Sequence, residues 1–220
     1  MEIDGTAVDK SWRRSNPAYS PLMKKLIILG GIVIVGGILT IGVWLTSRPG
    51  YNSAPYTVVS TDGNFEVRDY PALTVAETTM SESGSGGGFN RLFAFISGQN
   101  SNKQKIAMTT PVFMSGSSDN DTMAFVMPSD LDAGKLPKPD DEKVTVKELP
   151  PGRFAVLRYS GQRSREQESK TLADLKVWMS AQGIVATSTP IYGYFDPPWT
   201  PPLLRRNEVM LRIENQPSTK

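Results

Sequence analysis

An uncharged apolar run near the N-terminus constrains this chain more than any other feature. Residues 26–46 carry no charged side chain, and a helix of that length rises about 30 Å, the hydrocarbon thickness of a bilayer. Trp44 stands near its far end, where an indole favours the membrane interface. The run is longer than the apolar part of a signal peptide, about 7–15 residues, and the nearest small pair, Ser53 and Ala54, is followed by proline. We therefore predict a single transmembrane helix that acts as a signal anchor, rather than a cleaved leader or a buried core helix.

The charges that flank this run predict its orientation. Only Arg48 follows it closely, whereas five basic residues precede it: Lys10, Arg13, Arg14, Lys24 and Lys25. The positive-inside rule places the more basic side in the cytoplasm. We expect a cytoplasmic segment over 1–25, a linker over 47–55, one domain over 56–215 and a tail over 216–220. The domain would then lie in the periplasm or an equivalent space.

The residue types that are missing exclude most familiar chemistry. The chain of 220 residues contains no His and no Cys, so it has no Ser-His-Asp triad, no imidazole or thiolate metal ligand and no disulfide. No nucleophile paired with a base is legible, and we expect a protein that is not an enzyme. With 24 Lys and Arg against 22 Asp and Glu, the chain also lacks the concentrated positive charge of a nucleic-acid-binding protein.

The same series of sequence patterns recurs in both halves of residues 56–215. Strand-like alternation, a helical stripe, a Thr-Pro segment and a further strand follow one another in each half. The helical stripes are Phe89, Leu92, Phe93 and Ile96 in the first half, and Leu172, Leu175, Trp178 and Met179 in the second. Two copies of β-α-β-β predict an α+β domain with pseudo-twofold symmetry, whose sheet wraps into a partial barrel with both helices packed outside it.

Three further patterns suggest sites but have simpler interpretations. The glycine-rich stretch over 81–88 lacks the Gly-Lys-Ser/Thr ending of a phosphate loop, which favours a flexible loop. The acidic groups over 119–121, 130–132 and 140–142 lack the spacing of a calcium loop, which favours solvated turns. Four methionines either line an adaptable ligand pocket or fill the core: Met108, Met114, Met123 and Met127. We therefore predict no metal site.

The stretch over 194–209, YFDPPWTPPLLRRNEV, is the most unusual in the chain. Four prolines restrict it to an extended loop around Trp199. Arg205 and Arg206 follow, and arginine recognises carboxylates through paired hydrogen bonds. The stretch is either a rigid lid with internally paired arginines, or a loop that closes over a flat apolar ligand with acidic groups.

Together with two other motifs, this stretch resembles the SOUL haem-binding protein family. The motifs are FEVRDYPA, SGQN followed by KIAMTTPV, and DPPWTPP followed by RRNEV, and the likeness covers residues 56–214. The resemblance implies a distorted β-barrel of two halves, with haem or a related tetrapyrrole in an apolar groove beside the first helix and near the proline-rich loop. The residues that it implicates in binding are Phe89, Arg91, Leu92, Phe93, Ile96, Trp199, Arg205 and Arg206.

The function that we predict first is a membrane-anchored, non-catalytic domain that binds, buffers or transports haem or another porphyrin. Haem would have no His or Cys axial ligand here, which leaves Met or Tyr as weak ligands. The partners are then the porphyrin and the membrane.

Two other classes of function stay open. The doubled fold also resembles bacterial effector-binding domains, whose cleft takes lipophilic cations around a buried carboxylate, so the domain could bind small hydrophobic molecules or drugs. Glu66 and Glu77 lie on predicted strands, and a carboxylate that faces a cleft would favour this alternative. The third class is a structural or protein-interaction domain that uses the proline-rich loop.

Overall fold

The computed structural model describes residues 51–80, 84–115, 121–131 and 133–214. The predicted anchor over 26–46, the segment over 1–25 and the tail over 216–220 lie outside these ranges. Within the described ranges, no helix is long and apolar enough to cross a membrane. The described residues belong to the domain that is predicted to follow the anchor.

The described part of the chain contains eleven strands and two α-helices. The strands are β1 (Asn52–Ser53), β2 (Thr57–Asp62), β3 (Phe65–Tyr70), β4 (Leu73–Thr79), β5 (Thr109–Thr110), β6 (Val112–Ser115), β7 (Thr122–Val126), β8 (Thr145–Leu149), β9 (Gly152–Tyr159), β10 (Ile191–Tyr194) and β11 (Asn207–Ile213). The helices are α1 (Gly84–Ile96) and α2 (Arg165–Ala181). Short 3-10 turns lie at Ala133–Lys135 and Pro202–Leu204.

The folded domain begins before the predicted start at residue 56. Strand β1 pairs in parallel with β5, and the Ala54 amide donates a hydrogen bond to the Thr110 carbonyl at 2.8 Å. The described end of the predicted linker, residues 51–55, is therefore part of the domain. Its backbone groups gain partners there that a solvated linker would find only in water.

Nine of the strands form one antiparallel sheet in the order β2-β3-β9-β11-β10-β6-β7-β4-β8. The sheet curls into a half-barrel whose two edges are β2 and β8. The predicted barrel is therefore an open one, because these edge strands do not pair with each other. The α+β class and the presence of two helices are confirmed.

The sheet order displays an internal repeat. Strands β3, β4, β6 and β7 with α1 correspond to β8, β9, β10 and β11 with α2. Without β2, the strand order is β3-β9-β11-β10-β6-β7-β4-β8. Replacing each strand by its counterpart in the other half gives the same order read in reverse. Each half contains β-β-α-β-β, one strand more than the predicted unit. The first strand of each half pairs with the other half, so the two halves interlock in one sheet.

Side chains alternate across the sheet and separate two faces. On the outer face, α1 packs against β4 and β7, and α2 packs against β9 and β11. Leu92 and Leu175 are fully buried under these helices. The inner face carries a third apolar cluster without helix residues, which includes Phe113, Phe154 and Met210. The helices therefore leave the hollow of the half-barrel free.

Local signals mark both ends of α2. The Ser164 hydroxyl accepts a hydrogen bond from the Gln167 amide at 3.1 Å and caps its start. Glu166 and Glu168 lie in the first turn, where negative charge is favoured by the helix dipole. Gly183 follows the end of the helix with a φ of 67°, a backbone conformation that glycine adopts at little cost.

Truncation of Leu175 tests the packing of α2 on the outer face. Leu175→Ala leaves a cavity under the helix, and we expect it to lower the free energy of unfolding by about 2–5 kcal/mol. The matched control is Val177→Ala on the same helix, because Val177 is 71% exposed and its loss should cost little. The measurement is the urea unfolding midpoint, followed by tryptophan fluorescence. Equal midpoints for the two variants would contradict this packing.

Candidate functional site

A strip of half-buried side chains lies between the two helices on the outer face. Strands β10 and β6 stand at the centre of the sheet, between the strands that carry α2 and those that carry α1. Their outward side chains are Val112, Met114, Tyr192 and Tyr194, all half-buried. We call these four residues the inter-helix floor. The floor is continuous because Val112 is paired with Tyr194, and Met114 with Tyr192, across β6 and β10.

Two exposed phenylalanines of α1 border this floor. Phe89 and Phe93 lie one helical turn apart, and their rings stack at 5.8 Å with an interplanar angle of 12°. They are 38% and 50% exposed, which is unusual for rings of this size. Phe89 also meets the edge of Phe125 at 5.4 Å, and Phe125 is the cross-strand neighbour of Val112. The pair therefore extends an apolar surface from the floor onto the helix.

The other three residues implicated on α1 point elsewhere. Leu92 and Ile96 are buried in the cluster that fixes the helix to the sheet. Arg91 lies on the opposite side of the helix, where its guanidinium donates to the Thr78 hydroxyl at 3.0 Å and to the Thr79 carbonyl. Of the five, Phe89 and Phe93 are the ones that border the floor.

The proline-rich loop joins β10 to β11 at one end of the floor. Trp199 stands 76% exposed at its tip. The Arg205 guanidinium donates to the Thr200 carbonyl at 2.8 Å and to the Pro198 carbonyl. The Arg206 guanidinium donates to Glu208 at 2.8 Å and to the Tyr56 hydroxyl at 3.0 Å. Both arginines thus have partners inside the domain, as in the rigid-lid interpretation of this stretch.

A buried ion network on the inner face escaped prediction. Arg68 and Glu208 are fully buried, and two N–H groups of Arg68 donate to the Glu208 carboxylate at 2.7 and 3.1 Å. A third donates to Glu66 at 2.6 Å. Burial works to lower the pKa of Arg68, but the bonds to Glu208 and Glu66 outweigh it and the pKa is raised. Glu66 is therefore a partner of Arg68 rather than a carboxylate open to a cleft.

A cavity of about 260 Å³ opens on the inner face. Its walls are mostly apolar and include Tyr70, Leu73, Phe113, Leu149, Phe154 and Met210. Two charged residues, Glu77 and Arg212, also line it. The Glu77 carboxylate pairs with the Lys147 ammonium at 2.5 Å, and the Arg212 guanidinium lies over the Phe154 ring at 5.0 Å. Of the two glutamates singled out in the sequence, Glu77 is the one that faces a cavity.

A tyrosine cluster joins the floor to the start of α2. The Tyr194 hydroxyl donates to the Glu168 carboxylate, and the Arg163 guanidinium lies 5.5 Å from the Tyr194 ring. Burial raises the pKa of Tyr194, and the neighbouring Tyr159 and the bond to Glu168 act in the same direction. The phenol is therefore protonated at neutral pH. Among the described residues, no group of three or more His, Cys, Asp or Glu could hold a metal ion.

Comparison with known proteins identifies the family. The family model described as SOUL heme-binding protein matches residues 51–212, most of the chain. The chain belongs to the SOUL heme-binding protein family. Heme-binding protein 2 of Mus musculus is 28% identical over 180 residues, covering 76% of this chain and 86% of the relative. Heme-binding protein 2 of Homo sapiens is 29% identical over 183 residues, covering 77% and 87%.

Solved structures of low sequence identity share the fold. The C-terminal domain of EcmrR superimposes with a TM-score of 0.53 at 12% identity, covering 73% of this chain and 99% of that domain. A hydrolase from Listeria innocua gives a TM-score of 0.53 at 13% identity, covering 71% and 94%. At these identities the likeness concerns the fold alone, and the SOUL family shares its half-barrel with proteins of other functions.

Two buried tyrosines predict a loss of stability in alkali. Burial raises the pKa of Tyr70 and of Tyr159 to about 12, whereas an unfolded tyrosine loses its proton near pH 10. The native state therefore holds these protons more tightly, and the free energy of unfolding should fall as the pH rises from about 10 to about 12. Urea midpoints at about pH 8, 10 and 11 measure the slope. Tyr159→Phe keeps the ring and should make the slope shallower. An unchanged midpoint in the wild type across this range would contradict the prediction.

Proposed function

We propose that this member of the SOUL family binds haem or a related tetrapyrrole without catalysing a reaction. The observation that carries the proposal is the stacked, exposed pair of Phe89 and Phe93 beside the inter-helix floor. A planar macrocycle needs a flat apolar surface, and this pair with Val112 and Met114 offers one. Two relatives that carry the name Heme-binding protein 2 support the ligand class.

The residues of this surface are suited to apolar contact with a porphyrin ring rather than to coordination of its iron. Apolar burial contributes about 2.5 kcal/mol for each 100 Å² or so removed from water, so contact with the pair and the floor can supply most of the affinity. The chain has no His or Cys, and the Tyr194 phenol is protonated and committed to Glu168. Iron, when the porphyrin carries it, would supply redox and ligand-binding chemistry, but this surface gives it no strong protein ligand.

We further propose that the domain is anchored in a membrane through residues 26–46 and faces the periplasm or an equivalent space. The support is the uncharged length of that segment and the excess of basic residues before it. Buffering and transport of the porphyrin both suit an anchored binding domain.

Porphyrin titration tests the binding surface. With the fragment 48–220, whose folding is first checked by a cooperative urea transition, haemin should saturate near one equivalent and shift its Soret band. Phe93→Asp places a carboxylate on the contact surface, and we expect at least about tenfold weaker binding, because desolvation of a charge costs more than about 1.4 kcal/mol. Val177→Asp is the matched control, since Val177 is an exposed apolar residue on α2 and should leave binding unchanged.

The iron-free ligand makes the same test sharper. Protoporphyrin should bind nearly as tightly as haemin, with haemin showing a high-spin or solvent-ligated spectrum. A strong preference for haemin would contradict the absence of a strong protein ligand. Absence of saturable binding by either porphyrin, in a folded fragment, would overturn the proposal.

The inner cavity favours a second candidate function, the binding of a small lipophilic cation. Glu77 faces an apolar cavity of about 260 Å³, which was the feature that would favour this alternative. A cation entering the cavity would share the carboxylate with Lys147 and would be repelled by the Arg212 guanidinium that also lines the cavity, so the expected affinity is modest.

Calorimetric titration with benzyltrimethylammonium, whose size suits the cavity, tests this candidate. Glu77→Gln should abolish the heat of binding because it removes the negative charge from the cavity. Glu148→Gln is the matched control, because Glu148 is exposed on the neighbouring strand β8 and alternation directs it to the other face. Retained binding in Glu77→Gln would show that this carboxylate does not bind the cation. Phe93→Asp, which should weaken porphyrin binding, should leave cation binding intact.

A further inference from the structure

The tip of the proline-rich loop presents large apolar side chains to solvent. We define the loop tip as residues 197–204. Leu203 is 86% exposed and Trp199 is 76% exposed, and Leu204 beside them is also exposed. The 3-10 turn Pro202–Leu204 and the four prolines hold these side chains outward in a rigid loop. Contact with an apolar phase would therefore cost little ordering entropy.

Many backbone polar groups of the loop tip have partners within the domain. Prolines 197, 198, 201 and 202 have no N–H group to leave unsatisfied. Five carbonyls of the tip accept hydrogen bonds within the domain: those of Pro197, Pro198, Thr200, Pro201 and Pro202. The Arg205 guanidinium donates hydrogen bonds to two of them, the carbonyls of Thr200 and Pro198. This internal pairing favours contact with lipid, because each unpaired polar group costs several kcal/mol or so there.

The chain enters the domain at the same end of strands β6 and β10 as this loop. Strand β1 pairs with β5, whose last residue Thr110 lies two residues before Val112, the partner of Tyr194. Tyr194 in turn precedes the loop. The Tyr56 hydroxyl, just after β1, accepts a hydrogen bond from Arg206 at the end of the loop at 3.0 Å. Tyr51 is also exposed at this entry.

We propose that the loop tip docks on a lipid bilayer, with Leu203 in the acyl boundary and Trp199 at the interface. The inference rests on the proposed membrane anchor for its geometry. A spanning segment that ends at residue 46 would hold Tyr51 within about 17 Å of the bilayer, since five residues reach no further. Indole prefers the membrane interface and leucine side chains prefer the acyl region, which is why we assign Trp199 to the interface and Leu203 to the acyl boundary.

A single introduced cysteine reads the environment of the tip in the full chain. The chain contains no Cys, so Leu203→Cys gives one labelling site for a nitroxide. The matched control is Val185→Cys, because Val185 is 63% exposed and lies beside Ala186, which pairs with Ile213 at the opposite end of β11. With the chain in vesicles of phosphatidylcholine and phosphatidylglycerol, the accessibility of each label is measured to oxygen, which concentrates in lipid, and to a water-soluble nickel chelate.

The expected result is a several-fold higher oxygen-to-nickel accessibility ratio at residue 203 than at residue 185. Similar ratios at both positions, in a chain that resists carbonate extraction, would overturn the docking and leave the anchor standing. Protection of residue 203 from both reagents would also overturn it, because a protein partner or a second copy would then cover the tip. A label in lipid at residue 203, in a chain that carbonate extracts, would support the docking and reject the anchor.

Discussion

The ion pair between Arg68 and Glu208 is the interaction on which the arrangement of this domain depends. Both side chains are fully buried, and a buried arginine left unpaired would cost several kcal/mol or so. The pair spans β9, because Arg68 lies on β3 and Glu208 on β11. Glu208 also pairs with Arg206, which reaches Tyr56. The network around one buried charge thus links the end of the proline-rich loop to Tyr56, near the point where the chain enters the domain.

Interlocked halves explain why a surface for ligands exists between the helices. Each half covers its own pair of strands with one helix, and the strands that meet at the pseudo-twofold axis, β6 and β10, lie between the two helices. An apolar strip on such an axis is exposed unless a side chain or a ligand covers it. Phe89 and Phe93 border one side of it and remain partly exposed themselves. The same symmetry places the inner cavity on the opposite face, so that the two candidate sites are physically separate.

Local patterns in the sequence predicted much of this fold, and long-range pairing limited the rest. Alternation and helical spacing located the strands and both helices because these signals depend on neighbours in the chain. Strand order depends on contacts across a hundred residues or so, which is why the pairing of each half's first strand with the other half was not predicted. The motif resemblance led to Phe89 and Phe93, but it could not separate them from Leu92 and Ile96, which the packing of α1 turns into the core. Nothing in the alternation of β3 distinguishes a buried Arg68 from a solvated one, so its network with Glu66 and Glu208 was missed.

Under the proposed function, the weakness of iron ligation and the position of the loop belong together. A porphyrin held by apolar contact alone has no coordination bond to break when it leaves, so its release is governed by the area that it buries. Porphyrins partition into membranes, and a shallow surface that adjoins the end of β6 and β10 where the loop and the chain entry lie would shorten the path to lipid. Tight storage would instead demand an axial ligand and an enclosed pocket, whereas the chain has no His or Cys and, among the described residues, no helix lies over β6 and β10. If the surface binds a porphyrin as proposed, its chemistry favours exchange of that ligand over its retention.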